Sequence, residues 1–301
     1  MLSDLVANNS KRLLPGFSWL LLLLLAFTQQ ATAQDLGDDD SPQRKLYLLH
    51  CGGCHGATGQ GDGVAARFVF PKPRDFTTGK MRLVSTVNRV ASAKDIRMSI
   101  ERGFPGTSMQ GWRELGDAAL DQLVGEVMRL REEGVRRALQ QSLREEGAEV
   151  DQKKIENITR SLTRAGEVWQ APRFAKEDDA SVQRGEQVYH QQSCHSCHGK
   201  KGDGSWQMDL VDDKGRPSWA TDLRFDPYKG KTDTLAIARR IVLGMPGSSM
   251  PTSRKLSDQE LADLVRFCQS LAITPKYELT NFQRAQRAVG FRRPPEPAES
   301  P

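Results

Sequence analysis

Apolar residues recur at helical spacing in several parts of the chain, whereas no stretch alternates for long enough to predict a useful strand. The clearest helix follows Ser257, which forms a capping box with Glu260. Its apolar face consists of Leu261, Leu264, Val265, Cys268 and Leu271. A similar face follows Asp117, with Leu120, Leu123, Val124 and Val127. Residues 43–50 and 182–193 are also predicted helices, so the pattern indicates an all-α fold.

A polar segment, residues 131–180, lies between these helical regions. It is rich in Arg, Glu, Gln and Lys, and its apolar series is thin: Val135, Leu139, Leu143, Ile155, Ile158 and Leu162. This pattern predicts one or two exposed helices that join two domains. A solvated linker is the simpler interpretation, and a docking surface is the alternative. Residues 274–301, which are rich in proline near their end, are predicted to be a disordered tail.

The first 33 residues have the pattern of a secretory signal. Lys11 and Arg12 precede an apolar stretch at 13–27, and the small residues 31–33 form a cleavage pattern ending at Ala33. We therefore expect a periplasmic or otherwise exported protein. A membrane anchor is the alternative, but about 15 apolar residues are fewer than the roughly 20 that a spanning helix needs. No later segment predicts a spanning helix in the mature chain.

Four of the five cysteines form two C-x-x-C pairs, and a histidine follows each pair at once. The residues are Cys51, Cys54 and His55, and Cys194, Cys197 and His198. This spacing is the attachment signature of c-type haem. Two thiols can add to the haem vinyl groups while the adjacent imidazole reaches the iron. We predict two covalently bound haem c groups, with His55 and His198 as iron ligands.

Zinc binding, a disulfide and a thioredoxin-like dithiol are the other uses of C-x-x-C. A zinc site requires two pairs roughly 15 to 20 residues apart, whereas Cys54 and Cys194 are 140 positions apart. A redox dithiol does not require a histidine after both pairs. The haem interpretation accounts for the whole motif in both places.

An internal duplication extends beyond the two motifs. Residues 96–130 match residues 237–271 at a constant offset without a gap. Each motif also leads to a Gly-Asp-Gly phrase, at 61–63 in the first copy and at 202–204 in the second. Aligned on these phrases, the second copy is two residues shorter after its motif. The chain is therefore predicted to contain two related domains.

Met109 and Met250 are the predicted distal iron ligands, because they occupy the same place in two Gly-x-Pro-Gly-x-Ser-Met loops. The other methionines of the two domains have no methionine counterpart: Met81, Met98, Met128, Met208 and Met245. A buried core methionine is the alternative for any single one. Ligation by histidine and methionine gives a closed iron site with a raised reduction potential.

The remaining histidines and the fifth cysteine receive no haem role. His50 and His190 lie on the predicted helices before each motif, and His195 lies inside the second motif, so surface or packing positions are expected. Cys268 falls on the apolar face of its helix, which predicts a buried, inert thiol, with a redox role as the alternative. No catalytic residue is assigned.

These phrases together resemble the tandem class I cytochromes c, a family of diheme c-type cytochromes. The resemblance covers domain 1 at 42–133 and domain 2 at 182–273, which leaves 134–181 as a charged helical linker. The phrases that carry it are residues 51–56, 73–77, 103–109 and 244–251. It implies three or more helices around each haem, His/Met ligands and periplasmic electron transfer. Gln110 departs from the family, because a proline usually follows the ligand methionine, as Pro251 does in the second copy.

The expected function is electron transfer, by a free carrier or by a haem subunit of a larger oxidoreductase, with other cytochromes or a membrane oxidoreductase as redox partners. A diheme cytochrome c peroxidase is the rival, yet no histidine lies between Gly56 and Tyr189. The formal net charge is +5. Removal of the signal and the four haem propionates would roughly cancel this charge, so it does not predict nucleic-acid binding.

Overall fold

A computed structural model describes residues 40–174, 178, 180–204, 210–226 and 228–272 of the chain. The predicted signal peptide at 1–33 and the predicted tail at 274–301 lie outside the described residues. The described residues all belong to one compact unit that begins at Asp40. None of the helices in this described part is long and apolar enough to cross a membrane.

The described chain is mostly helical, which confirms the all-α prediction. Its α-helices are α1 (Pro42–His50), α2 (Gly52–His55), α3 (Ala93–Arg102), α4 (Asp117–Glu145), α5 (Gln152–Thr163), α6 (Ser181–Gln191), α7 (His195–His198), α8 (Thr234–Leu243) and α9 (Asp258–Ser270). Short 3-10 helices span Ala66–Phe68, Phe76–Thr78 and Arg113–Leu115. The strands β1 (Leu210–Val211) and β2 (Pro217–Ser218) form one small antiparallel hairpin.

The first repeat packs α1 and α3 against the first half of α4. Tyr47 of α1 and Leu120, Leu123 and Leu130 of α4 are almost completely buried in this core. Ser92 starts α3 through a capping box with Asp95, so the first backbone N–H groups of the helix have partners. The buried core holds α1, the helix before the first motif, against α4.

The second repeat uses the same arrangement, with α6 before the motif and α9 at the end. The predicted capping box of Ser257 and Glu260 is present at the start of α9. Leu261, Leu264, Val265 and Cys268 of this helix are buried, as their spacing predicts. The apolar periodicity therefore located the core face of the helix correctly.

The predicted linker is helical, but its first part is not a separate element. Helix α4 continues without a break through residue 133 to Glu145, and α5 then folds back along it. Val135 and Ile155 are buried between these helices. The Arg131 guanidinium donates hydrogen bonds to the carbonyl oxygens of Ala91 and Thr163, at 2.9 and 2.8 Å. Part of the linker thus packs on the first repeat instead of being solvated.

Candidate functional site

His55 is buried at the end of α2 and has a defined ring orientation. The residue is 7% exposed, and its ring stacks on that of Phe76 with the two centroids 4.5 Å apart. Nδ1 lies 2.9 Å from the Arg74 carbonyl oxygen. Because a carbonyl oxygen can only accept, Nδ1 carries the proton, and Nε2 keeps a free lone pair for a metal.

His198 repeats this arrangement at the end of α7. Its Nδ1 donates to the Thr221 carbonyl oxygen at 3.0 Å. Burial lowers the pKa of both His55 and His198, and the hydrogen bond to the carbonyl opposes this effect in each case. Both rings are therefore neutral near pH 7, which is the form that binds iron.

The four motif cysteines are partly exposed, and no disulfide joins any of the cysteines in the described chain. Burial raises the pKa of Cys51 to about 12 and that of Cys194 to about 11. The thiols of Cys51 and Cys194 are therefore protonated at neutral pH, so these two side chains bring no charge into apolar surroundings. They remain available to form thioether bonds.

The two methionine loops have the same backbone hydrogen bonds. In the first, the N–H of Phe104 donates to the Met109 carbonyl oxygen at 2.9 Å, and in the second the N–H of Met245 donates to that of Met250 at 3.2 Å. Each loop begins with a glycine of left-handed φ, 66° at Gly103 and 64° at Gly244. The duplicated sequence therefore folds into a duplicated loop.

A cavity of about 270 Å³ lies between the motif and the methionine loop of the first repeat. Cys51, Cys54, His55 and Met109 line it together. Most of its other walls are apolar, and they include Phe76, Leu83, Ile96, Ile100, Phe104 and Val127. The structure thus brings together every residue that the sequence assigns to the first site.

The second repeat has a smaller cavity of about 100 Å³ at the matching place. Among the residues described around it, Cys194, His198 and Met250 line the cavity, and Cys197 does not. The buried Cys268 also lines it, and burial raises the pKa of this thiol to about 12. The predicted burial of Cys268 is correct.

Each cavity also contains an arginine that sequence reasoning did not select. Arg82 lines the first cavity and Arg240 the second. Burial lowers the pKa of both, to about 10 at Arg240. Both chambers are mainly apolar and have basic side chains in their walls, which are Lys72, Arg74 and Arg82 in the first and Lys229 and Arg240 in the second. Such a chamber matches a planar apolar macrocycle that bears carboxylates. The residues present therefore fit haem c, which supplies an iron that gains or loses one electron.

Other methionines also reach these cavities. Met81 lines the first and Met245 the second, beside the predicted ligands. Met208 lies outside the described residues. The ligand roles of Met109 and Met250 stay a prediction, which rests on their equivalent positions in two equivalent loops.

The remaining histidines make ring contacts. His50 lies at the edge of the first cavity, with its ring centroid 5.0 Å from that of Trp112. The rings of His190 and His195 have centroids 4.9 Å apart. These contacts agree with the packing positions expected from sequence.

The sequence alignment of the loops after the motifs was wrong. Gly61 N–H donates to the His55 carbonyl oxygen, and Gly204 N–H donates to that of His198, both at 2.8 Å. Gly61 is therefore equivalent to Gly204, and no gap lies between the motif and these glycines. Matching the two Gly-Asp-Gly phrases shifted the second copy by two residues, because the phrase occurs at different places in the same loop.

A tyrosine hydroxyl is hydrogen-bonded to the glycine that follows each motif, and sequence reasoning missed both tyrosines. The Tyr47 hydroxyl donates to the Gly56 carbonyl oxygen at 2.8 Å, and the Tyr189 hydroxyl donates to that of Gly199 at 2.6 Å. Tyr189 lies one residue further from its motif, and Ser193 absorbs the extra residue with a left-handed φ of 57°. The signal that could have found them was a tyrosine shortly before each first cysteine.

Comparison with known proteins matches both repeats to one family. The Cytochrome c family model matches residues 44–125 and 182–272. No curated protein is significantly similar to the chain. Among solved structures, a chain of the reducing HAO-like protein complex of Kuenenia stuttgartiensis has a similar fold, with a TM-score of 0.64 and 24% identity. The match covers 77% of this chain and 96% of the other.

Proposed function

The chain belongs to the cytochrome c family, and we propose that it binds two covalent haem c groups and transfers single electrons between redox proteins outside the cytoplasm. Electron transfer by a c-type cytochrome follows from the family. The number of haems, the compartment and the role in a pathway are the proposal. The observation that carries it is the repeated site: a C-x-x-C-H motif, a histidine held by a carbonyl and a methionine loop occur in each half.

The chain's own residues suit a carrier with a rigid site. The carbonyl oxygens of Arg74 and Thr221 orient the two imidazoles, and the hydroxyls of Tyr47 and Tyr189 hold the ends of the short motif helices. Each methionine loop lies on the opposite side of the cavity from the motif, and backbone hydrogen bonds within the loop close it. Groups held in this way move little when the charge of the iron changes by one unit.

An exported protein is supported by the signal pattern at the N-terminus. N-terminal sequencing of the protein purified from a periplasmic fraction tests this point, and we expect the mature chain to begin near Gln34. An N-terminus at Met1 in a membrane fraction would favour the anchor alternative.

The identity of the partner is a further part of the proposal. The solved chain of similar fold is part of a protein complex, which supports the alternative that this chain is a haem subunit of a larger oxidoreductase. Size-exclusion chromatography of native extracts separates the two cases. A haem peak near the mass of the chain indicates a free carrier, and a much larger peak indicates a subunit.

The haem count is tested with the pyridine haemochrome assay after expression with a c-type maturation system. We expect two haems per chain that acid-acetone does not extract. The double variant Cys51→Ala/Cys54→Ala should retain one, and Cys268→Ala, the matched thiol control, should retain two. One haem or none in the parent protein would refute the proposal.

Stopped-flow mixing distinguishes a carrier from a peroxidase. The fully reduced protein should react quickly with an oxidised small cytochrome and slowly with hydrogen peroxide, because both distal positions are predicted to hold methionine. Rapid, saturable oxidation by peroxide would support the peroxidase alternative instead.

A further inference from the structure

Arg74 contacts both candidate haem sites with different parts of the residue. Its carbonyl oxygen accepts the hydrogen bond from His55 in the first repeat. Its guanidinium extends to the second repeat, where Nη1 donates to the Gly247 carbonyl oxygen at 3.0 Å. Gly247 belongs to the loop that carries Met250. One residue therefore touches the histidine of one site and the methionine loop of the other.

An ion pair holds the guanidinium in place. Nη2 of Arg74 lies 2.9 and 2.7 Å from the two carboxylate oxygens of Asp213. The two side chains are only 13% and 12% exposed. Burial raises the pKa of Asp213, but the hydrogen bond and charge of Arg74, with the charge of Lys80, outweigh it and lower the pKa overall. The carboxylate is thus charged and fixed at neutral pH.

A second ion pair joins the next residue on each side, and here the anion belongs to the first repeat and the cation to the hairpin. Lys214 Nζ lies 2.7 Å from Asp75 Oδ2, and the Asp75 side chain is 4% exposed. The first repeat thus contributes a cation and then an anion, and the β1–β2 hairpin contributes an anion and then a cation. A shift of one residue along this contact would place like charges together, so the register is specified.

The Arg74 contact has no counterpart at the equivalent position of the second repeat. Thr221, whose carbonyl orients His198, has a side chain too short to make such a bridge. The glycines differ in the same way. A Cβ on Gly247 would lie 2.2 Å from Arg74 Nη1, whereas a Cβ on Gly106 would have nothing within 4 Å. Both glycines have left-handed φ, 75° and 77°.

We propose that Arg74 is a positioning residue that couples the two haem sites, so that the first repeat sets the reduction potential of the second. The inference rests on the proposed function, because it needs both haems. Reduction at the second site adds one electron to a ferric iron and breaks no bond. A cation beside the Met250 loop stabilises the reduced state, and the anion Asp213 opposes it.

The test is spectroelectrochemical titration of the full-length two-haem protein, with Met250→His identifying the second-site wave. Arg74→Leu keeps the carbonyl that orients His55 but removes the cation. It should lower the second-site potential, so that the ratio of reduced to oxidised haem at fixed potential falls at least threefold, which is about 28 mV. Asp213→Asn should move the same potential in the opposite direction. General loss of structure would not produce shifts of opposite sign.

Two matched controls isolate the contact. Arg97→Leu removes the same charge from the first repeat, where Arg97 pairs with Asp117 and Asp121, and should leave the second-site potential unchanged. Gly247→Ala and Gly106→Ala impose the same left-handed strain, but only Gly247→Ala meets Arg74, so only this variant should shift the second-site potential.

The outcomes separate this inference from the proposed function. An unchanged second-site potential in Arg74→Leu, or shifts of equal sign in Arg74→Leu and Asp213→Asn, would overturn the coupling while two haems remain bound. Fewer than two haems in the parent protein would overturn the proposed function itself.

Discussion

Gly185 of α6 lies so close to Asp263 of α9 that a Cβ atom on Gly185 would stand 2.1 Å from the Asp263 carbonyl oxygen. The first and last helices of the second repeat therefore touch through backbone at this point. Gly185→Ala should force them apart and lower the free energy of unfolding by about 1–3 kcal/mol.

Urea titration of the haem-loaded protein measures this effect. Gly125→Ala is the control, since Gly125 lies within α4 and a Cβ there has open space. This variant should raise the free energy of unfolding by about 0.5–1 kcal/mol through helix propensity. Equal destabilisation in both variants would contradict the close approach.

Replacement of the predicted methionine ligands should change one potential at a time. Met109→His and Met250→His should each lower the potential of one haem, because a thioether stabilises ferrous iron better than imidazole does. Redox titration and the absorption band of the ferric iron–methionine bond report the result. Met81→Leu and Met245→Leu, which line the same cavities, should leave both unchanged. Loss of the band in either leucine variant would identify the replaced methionine as the iron ligand instead.

The hydrogen bonds of the Tyr47 and Tyr189 hydroxyls should contribute to stability and not to haem attachment. Tyr47→Phe and Tyr189→Phe each leave a buried carbonyl oxygen, of Gly56 or Gly199, without the hydroxyl donor. Each change should lower the free energy of unfolding by about 1–2 kcal/mol, with two haems still bound in the haemochrome assay. Loss of a haem would instead give the tyrosine a role in maturation.

The ionised Asp263 carboxylate should stabilise the fold at neutral pH, and this contribution should be lost in acid. Burial raises its pKa, but the hydrogen bonds from Arg184 and Gln259 outweigh burial, so the folded pKa lies below its usual value. The contribution is therefore present above the unfolded pKa of about 3.9 and is lost as pH falls through the folded value. Asp263→Asn should be less stable than the parent at pH 7.

Urea titrations at falling pH should show the difference between the parent and Asp263→Asn becoming smaller. Asp258→Asn is a suitable control, because Asp258 lies in the first turn of the same helix without an ion pair among the described contacts. A constant difference between pH 7 and pH 3 would show that the Asp263 charge is not responsible.

Local sequence signals predicted much of each site. The motif residues, the methionine loops and the capping box at Ser257 depend on contacts between residues close in sequence, and the structure has the capping box and both loops as predicted. The Gly-Asp-Gly comparison failed because a short repeated phrase can lie at two places in one loop. The backbone hydrogen bonds of Gly61 and Gly204 reveal the correct register.

Buried charges could not be predicted in the same way. Glu126 and Arg131 are charged residues of α4, yet they are 0% and 1% exposed. Glu126 forms an ion pair with Arg44, 82 positions away, at 3.1 Å. A helical pattern identifies the apolar face but cannot show that a charged residue beside it will find a distant partner. Arg74 and Asp213 were missed for the same reason.

The unbroken course of α4 limits how the two repeats can be exchanged. A recombinant that joined the halves at residue 133 would cut a helix in its middle and separate Arg131 from its acceptor at Thr163. The module in the first half therefore includes the α4–α5 hairpin, whereas α9 is the last helix among the described residues of the second half. A chimera that keeps this hairpin with the first repeat preserves its buried contacts, so the two copies are no longer interchangeable building blocks despite their common origin.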